Sequence, residues 1–257
     1  MRKRILVYLN DDSLNESIMN FLEMFKKKYN YVIDCIYVKD IRKYEVVPAT
    51  SEGMFAGFSA NYILEEWESF EKKMAVKVEK FFKEGEVIEK LTIEEGITPD
   101  IIREKMKGYD LLITGISENN SQDVQMIMKT YYKPFILIPK KLNYNFDNIA
   151  FAHDNRVNSN KSLFYFINYF NDIKNYKFIS ANVKEKSSEL ENYMNIAGKH
   201  VNIVDRVGNE IEIFKEETEN MDLLIMGNLK YFFLYKKLTK RIGIKLLENI
   251  KIPIFIG

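Results

Sequence analysis

The sequence repeats one short strand-like motif, and this repeat constrains the fold more than any other feature. Residues 110–115 (DLLITG) return as residues 222–227 (DLLIMG), and a glycine, Gly96 or Gly208, precedes each copy by fourteen residues. Each copy is followed by a proline and an apolar run, at 134–138 and at 253–256. A repeat of both the motif and its spacing indicates two copies of one structural unit.

The length of the chain agrees with two units. A chain of 257 residues with 46% hydrophobic residues can build two domains, each with a buried core. We place the boundary in the polar stretch around residues 140–145, so that the domains are residues 1–142 and 143–257. The first unit is longer, and we assign its extra residues to a loop at 44–58 and to an amphipathic helix that follows it.

Apolar, β-branched runs alternate with helical patterns in both halves, which predicts a parallel sheet with helices between the strands. Thr98 and Pro99 suit the cap and the first turn of one helix. The fold class is therefore α/β, with two tandem, doubly wound, parallel five-stranded α/β sandwiches. The strands are predicted at 5–9, 31–38, 87–91, 111–114 and 135–138 in the first half, and at 148–152, 177–181, 201–204, 223–226 and 254–256 in the second.

The last predicted strand of each half is short and apolar. An apolar edge strand tends to pair with another edge. We expect residues 135–138 and 254–256 to pair within one chain, so that the halves pack as a pseudo-dimer.

Charge and composition exclude several classes of partner. The 38 basic and 37 acidic residues nearly cancel, so we expect neither nucleic acid nor a membrane as partner. The basic N-terminus leads into an apolar run too short for a signal peptide, and no stretch is long enough to span a membrane. We expect a cytoplasmic protein. The single cysteine, Cys35, lies in an apolar run and is predicted to be a buried strand thiol.

Four features recur in order in both halves: a first strand followed by polar residues, a strand ending in glycine, a loop and helix, and a proline-led last strand. In this order the chain resembles the universal stress protein family in its tandem form, over nearly its whole length. The resemblance implies an adenine nucleotide alpha hydrolase-like fold and a role in stress response. It also implies where a nucleotide would bind. Nucleotide-binding members use an aspartate after strand one, a backbone position in strand two, and a phosphate loop of the form G-x2-G-x9-G-[ST].

The second half matches part of that pattern. Asp154 follows its first strand and Gly227 begins its loop, but Lys230 stands at the second glycine position and Lys240-Arg241 stand where Gly-Ser/Thr is required. Glycine lets backbone N–H groups approach a phosphate, because it has no Cβ and reaches positive φ. Lys230, Lys240 and Arg241 add positive charge, but they lack the backbone freedom with which glycine forms a phosphate cradle.

The first half departs further from the pattern. Asn10 falls where the aspartate is expected, Val38 falls near the strand-two position, and Gly115 begins a loop that is shorter than its counterpart and contains Glu118. A carboxylate is unfavourable where a phosphate needs positive charge or free N–H groups. Neither half has an intact phosphate loop.

Other catalytic or metal chemistry is not evident in the sequence. The two histidines, His153 and His200, lack metal-ligand spacing, and we interpret both as hydrogen-bonded residues at strand ends. The basic and aromatic segment at 230–245 has three interpretations: a packed helix, an anion site, or a protein interface.

These observations favour a non-enzymatic, universal-stress-like binding or regulatory protein with weak or lost ATP binding. No cofactor is assigned with certainty, and ATP or another adenine nucleotide is the candidate. The alternative is an ATP-binding universal stress protein that turns the nucleotide over. A protein partner or self-association would suit the first function.

Overall fold

The computed structural model describes residues 2–9, 12–43, 87–116, 121–130, 133–141, 143–183, 188–227 and 251–257, together with Ser69, Lys72 and Val76. Both the inserted helix and the basic segment at 230–245 lie outside these ranges, apart from those three single residues. The first half contains β1 (Arg4–Leu9), α1 (Asp12–Lys28), β2 (Val32–Asp40), β3 (Lys90–Gly96), α2 (Thr98–Lys105), β4 (Leu111–Gly115), α3 (Ser121–Thr130) and β5 (Phe135–Ile138). The second half contains β6 (Asn148–Ala152), α4 (Val157–Tyr169), β7 (Asn175–Ala181), α5 (Glu189–Ile196), β8 (His200–Arg206), α6 (Glu210–Glu217), β9 (Leu223–Met226) and β10 (Ile254–Ile256).

The strands form one ten-stranded sheet in the order β3-β2-β1-β4-β5-β10-β9-β6-β7-β8. Each half contributes the same internal order, and the two orders mirror each other where β5 meets β10. That pair is antiparallel, with Phe135 opposite Ile256 and Leu137 opposite Ile254, whereas the other described pairs are parallel. The predicted α/β fold class and the predicted pairing of the two last strands are both confirmed.

Four strands and one cap differ from the sequence-based prediction. Strand β2 ends at Asp40, β7 begins at Asn175 and β8 covers His200–Arg206, each with a limit two residues from the predicted one. Strand β3 begins at Lys90 rather than Val87, and its partners run from Asp34 to Asp40 of β2. Strand β3 lies at the edge of the sheet and is partly exposed to solvent. Its polar residues interrupt the apolar pattern from which the strand limits were predicted. The cap of α2 is Ile97, without a side-chain hydrogen bond, and Thr98 is the first helical residue. Its N–H donates instead to the carboxylate of Asp40 at 3.3 Å.

An aromatic cluster joins the halves on the sheet face that α1 and α4 cover. The Phe170 ring lies 5.7 Å from Phe25 of α1, 5.0 Å from Phe146 and 6.3 Å from Phe255 of β10. Phe146 belongs to the segment that connects the halves, and its side chain is buried. The connecting segment is therefore part of the core, which explains its aromatic residues.

The same helix position carries opposite charges in the two halves. Lys105 at the end of α2 pairs with Glu94 of β3. In the second half Glu217, at the end of α6, lies 2.7 Å from Arg206 of β8. Both members of the pair have changed sign together, so each helix is matched electrostatically to the strand of its own half.

Candidate functional site

In an open α/β sheet, ligands bind beyond the carboxyl ends of the strands, where the chain leaves in opposite directions from neighbouring strands. In the first half this point is the end of β1, which lies between β2 and β4. In the second half it is the end of β6, between β7 and β9. The described residues at these two points form the candidate site.

The guanidinium group of Arg42 lies at the first of these points, the carboxyl end of β1. Arg42 donates from Nε to Asp40 at 2.8 Å and from Nη2 to Asp123 at 2.7 Å, and its backbone N–H also donates to Asp40 at 3.0 Å. A further contact joins Nη2 to Asp40. We call Asp40, Arg42 and Asp123 together the Arg42 bridge.

The position of the bridge follows from the topology. Asp40 is the last residue of β2, and Asp123 lies in the first turn of α3, which follows β4. Because β1 lies between β2 and β4, the Arg42 side chain crosses the carboxyl end of β1. Tyr8 of β1 is buried next to it and its hydroxyl is hydrogen-bonded to the Thr98 side chain. Burial raises the pKa of that hydroxyl well above its ordinary value.

The charges in the Arg42 bridge do not balance. Burial would raise the pKa of the Asp40 carboxyl, but hydrogen bonds from Arg42 and Thr98 outweigh burial and hold that pKa well below its usual range. The hydrogen bonds that Arg42 donates to Asp40, and then those to Asp123, raise the pKa of Arg42. Two carboxylates therefore share one guanidinium, and the bridge carries a net negative charge.

The other first-half residues named from the sequence have structural roles. Val38 is buried within β2, next to Glu94 of β3 in the strand register. A Cβ at Gly115 would lie 2.8 Å from the side chain of Leu14, so glycine is needed there because α1 packs against β4. Asn10 lies outside the described residues.

In the second half, the carboxylate of Asp154 is hydrogen-bonded by residues that follow it in the chain. Its carboxylate accepts from the backbone N–H of Arg156 at 3.0 Å and from the Ser159 hydroxyl at 2.6 Å, and the side chain is 51% exposed. These bonds fasten the start of α4 to the end of β6. A Cβ at Gly227 would lie 2.9 Å from the backbone nitrogen of Ser159, so the start of α4 also explains this glycine.

The structure does not describe the remaining residues named from the sequence, namely Glu118, Lys230, Lys240 and Arg241. Of the described candidates, it brings Asp154 and Gly227 to the same helix start. Sequence reasoning missed the Arg42 bridge, because Arg42 and Asp123 are far apart in the chain and belong to no motif.

The prediction of a hydrogen-bonded His153 is wrong for one ring nitrogen. Its Nε2 atom is buried without a hydrogen-bond partner. The ring is stacked on Phe151 at 5.5 Å and lies 5.8 Å from Phe178. Burial lowers the pKa of His153, and Asp154 and Asp205 oppose this shift. Phe151 lies in β6, and His153 follows the end of that strand two residues later. This spacing places both rings on one face of the sheet, where the neighbouring phenyl rings offer His153 Nε2 no hydrogen bond.

Cys35 is buried, as predicted, and burial raises the pKa of its thiol above the ordinary value. Within the described ranges, no cluster of three His, Cys, Asp or Glu side chains could hold a metal ion. No helix in the part of the chain that the structure describes is both long and apolar enough to cross a membrane.

Two mirrored copies of the order 3-2-1-4-5, joined through their last strands, define a tandem, doubly wound α/β fold. Among solved structures, a universal stress protein from Archaeoglobus fulgidus has a TM-score of 0.64 and 14% sequence identity, with 98% of this chain and 94% of that chain covered. A functionally unknown protein from Pseudomonas aeruginosa has a TM-score of 0.54 and 13% identity, with 99% of this chain and 92% of that chain covered. The chain thus has the fold of tandem universal stress proteins.

Sequence comparison gives no closer assignment. No protein-family model matches the chain. No curated protein matches it either. At these identities the structural likeness is a statement about the fold.

Proposed function

We propose that the protein is a non-enzymatic, universal-stress-like protein that acts by binding in a cytoplasmic stress response, and that its first half has lost nucleotide binding. The Arg42 bridge is the observation that carries this proposal. It occupies the carboxyl end of β1, which is the place where a ligand of this fold would lie.

The chemistry of the bridge opposes a phosphate group. A bound phosphate needs free cations or free backbone N–H groups. Arg42 already binds two carboxylates, and the N–H groups of Arg42 and Thr98 already donate to Asp40. ATP would have to displace a carboxylate and leave it unpaired in a buried position, which is costly.

Any remaining nucleotide binding should belong to the second half. Asp154 is half exposed there, and Gly227 opens the following loop. Lys230, Lys240 and Arg241 would attract phosphates by charge, but without the geometry of a backbone cradle. We therefore expect weak binding of an adenine nucleotide or none.

Turnover of ATP is not part of this proposal. Phosphoryl transfer needs a positioned nucleophile and a cradle that holds the phosphates in line. Asp154 is the obvious carboxylate, yet it is committed to the start of α4 through Arg156 and Ser159. The function would then be exerted through a protein partner or through self-association.

Calorimetry with ATP and ADP tests the proposal, together with mass spectrometry of nucleotide released from the denatured protein. We expect weak or absent binding, reduced further by Asp154→Asn and unchanged by Asp123→Asn. Sub-micromolar ATP binding that is lost in Arg42→Gln and kept in Asp154→Asn would show that the first half binds the nucleotide. Retained ATP released from the purified protein, with turnover above a blank, would favour the enzymatic alternative.

A further inference from the structure

A second polar site lies on the opposite face of the sheet from the Arg42 bridge. His153 Nε2 and Asn160 Oδ1 are both buried and have no hydrogen-bond partner. Buried polar atoms without a partner are rare in native proteins, because each one costs the free energy of its lost hydration. Two such atoms close to the end of one strand need a common explanation.

Both atoms face the seam between α4 and α5. The His153 ring contacts Phe151 and Phe178, which belong to the buried cluster that α4 and α5 cover. Asn160 lies one helical turn before Phe164, and residues four apart share a helix face. The Phe164 ring packs edge-on against Tyr193 of α5 at 5.3 Å. Asn160 therefore lies on the side of α4 that faces α5, above the strand end that carries His153.

The same helix position is polar in the first half. Ser17 and Ser162 each accept a hydrogen bond from the backbone that follows the last strand of their half, from Lys141 and from Gly257. Two residues before each serine stands an asparagine, and both amide atoms of Asn15 are also buried and unpartnered. A polar residue at both positions is a feature of the fold. The histidine occurs in the second half alone, and Leu9 stands at the equivalent position of the first half.

The chemistry of these two atoms selects hydrogen-bond donors. Asn160 Oδ1 can only accept a hydrogen bond, and a neutral imidazole accepts through one of its nitrogens. Asp154 and Asp205 add negative charge near the ring. The neighbouring rings of Phe151 and Phe178 provide no positive charge for a phosphate. At the start of α4, Asp154 accepts the backbone N–H group of the cap residue Arg156 and adds a negative charge to that end of the helix.

We propose that the seam between α4 and α5 binds a small primary amine as its ammonium ion, held by His153 Nε2 and Asn160 Oδ1. The site is separate from the Arg42 bridge, since it lies on the other face of the sheet.

Histidine NMR tests this directly, because the chain has only two histidines. His200 is the first residue of β8 and is exposed, and a His200→Gln variant assigns the two imidazole signals. Methylammonium is titrated into the protein, with methanol and inorganic phosphate as parallel titrations. We expect methylammonium to shift the His153 signal in a saturable way and to leave the His200 signal unchanged. Methanol and phosphate should not produce a saturable shift of the His153 signal.

Substitutions at Asn160 give effects of opposite sign. Asn160→Leu should weaken methylammonium binding at least roughly tenfold. Asn160→Asp keeps the acceptor oxygens and adds charge, so it should strengthen binding. Asn168→Leu is the matched control, because this exposed residue of α4 uses only its backbone carbonyl, which accepts from Lys3.

Three results would overturn the proposal. The first is the absence of a saturable shift in the folded protein. The second is an equal response to methanol or phosphate, which would remove the selection for a cation. The third is equal weakening by Asn160→Leu and Asn168→Leu, or weakening by Asn160→Asp, since either would separate the shift from a contact with Asn160 Oδ1.

Discussion

Replacing Asp40 by asparagine should be one of the more destabilising polar substitutions in this protein. Asp40 is 2% exposed and accepts hydrogen bonds from the backbone and side chain of Arg42 and from the backbone of Thr98. Asparagine has nearly the same shape but no charge, and its NH2 group would face those donors. The substitution keeps one acceptor oxygen but removes the charge, so some of these donors lose their acceptor and Asp123 is the one carboxylate left to Arg42 in the bridge.

The expected cost follows from the burial of the two partners. Removing one member of a buried ion pair costs about 3–5 kcal/mol. The Arg42 side chain is 36% exposed, so water compensates in part and we expect about 2–3 kcal/mol. Asp123→Asn is the matched control. Its carboxylate is more exposed and Arg42 keeps Asp40, so the cost should be about 0.5–1 kcal/mol.

Urea unfolding followed by circular dichroism measures both values. The Asp40→Asn midpoint should fall by about 1 M relative to the parent protein. Equal costs for the two variants, or a smaller cost for Asp40→Asn, would refute the assignment of Asp40 as the anchor of the Arg42 bridge.

The stability difference between the parent protein and Asp40→Asn should depend on pH in a defined direction. The pKa of Asp40 is lowered on folding, so its stabilisation is complete above its ordinary pKa of about 4 and is lost as the pH falls through the lower folded value. The stability difference between the parent and Asp40→Asn should therefore be constant near neutral pH and should shrink below about pH 4. A difference that grows on acidification would contradict the direction of the shift.

Three further outcomes are expected. Phe170→Ala should cost about 3–5 kcal/mol and unfold both halves in one transition, whereas the exposed Phe164→Ala should cost under about 1 kcal/mol; two separate urea transitions in the parent protein would contradict a shared core. Gly227→Ala should cost about 1–3 kcal/mol by thermal unfolding, because the new methyl group meets the backbone of α4, while Gly108→Ala has room and should cost little. Phosphate release from ATP should not exceed a protein-free blank, and a rate above the blank that disappears in Asp154→Ala would overturn the non-enzymatic assignment.

Most of the fold could be predicted from local patterns. The strands at 135–138, 223–226 and 254–256 have the predicted limits, because each is buried on both faces and therefore reads as a continuous apolar run. The strand at 148–152 also has the predicted limits, although it begins with the exposed Asn148. The edge strand β3 could not be placed as well. Its exposed residues include Lys90 and Glu95, so it does not read as a continuous apolar run, and its limits depend on which residues of β2 it pairs with.

The candidate site depended far more on tertiary structure. The sequence by itself determined the repeat, the order of the elements, the pairing of the two last strands and the positions of Asp154, Gly115 and Gly227, because these depend on hydrophobic periodicity and on short motifs. Only the tertiary structure decided that Arg42 crosses the end of β1 and that His153 Nε2 is buried without a partner. Both depend on which side chains the topology brings together from distant parts of the chain, and on how much water the packing excludes between them.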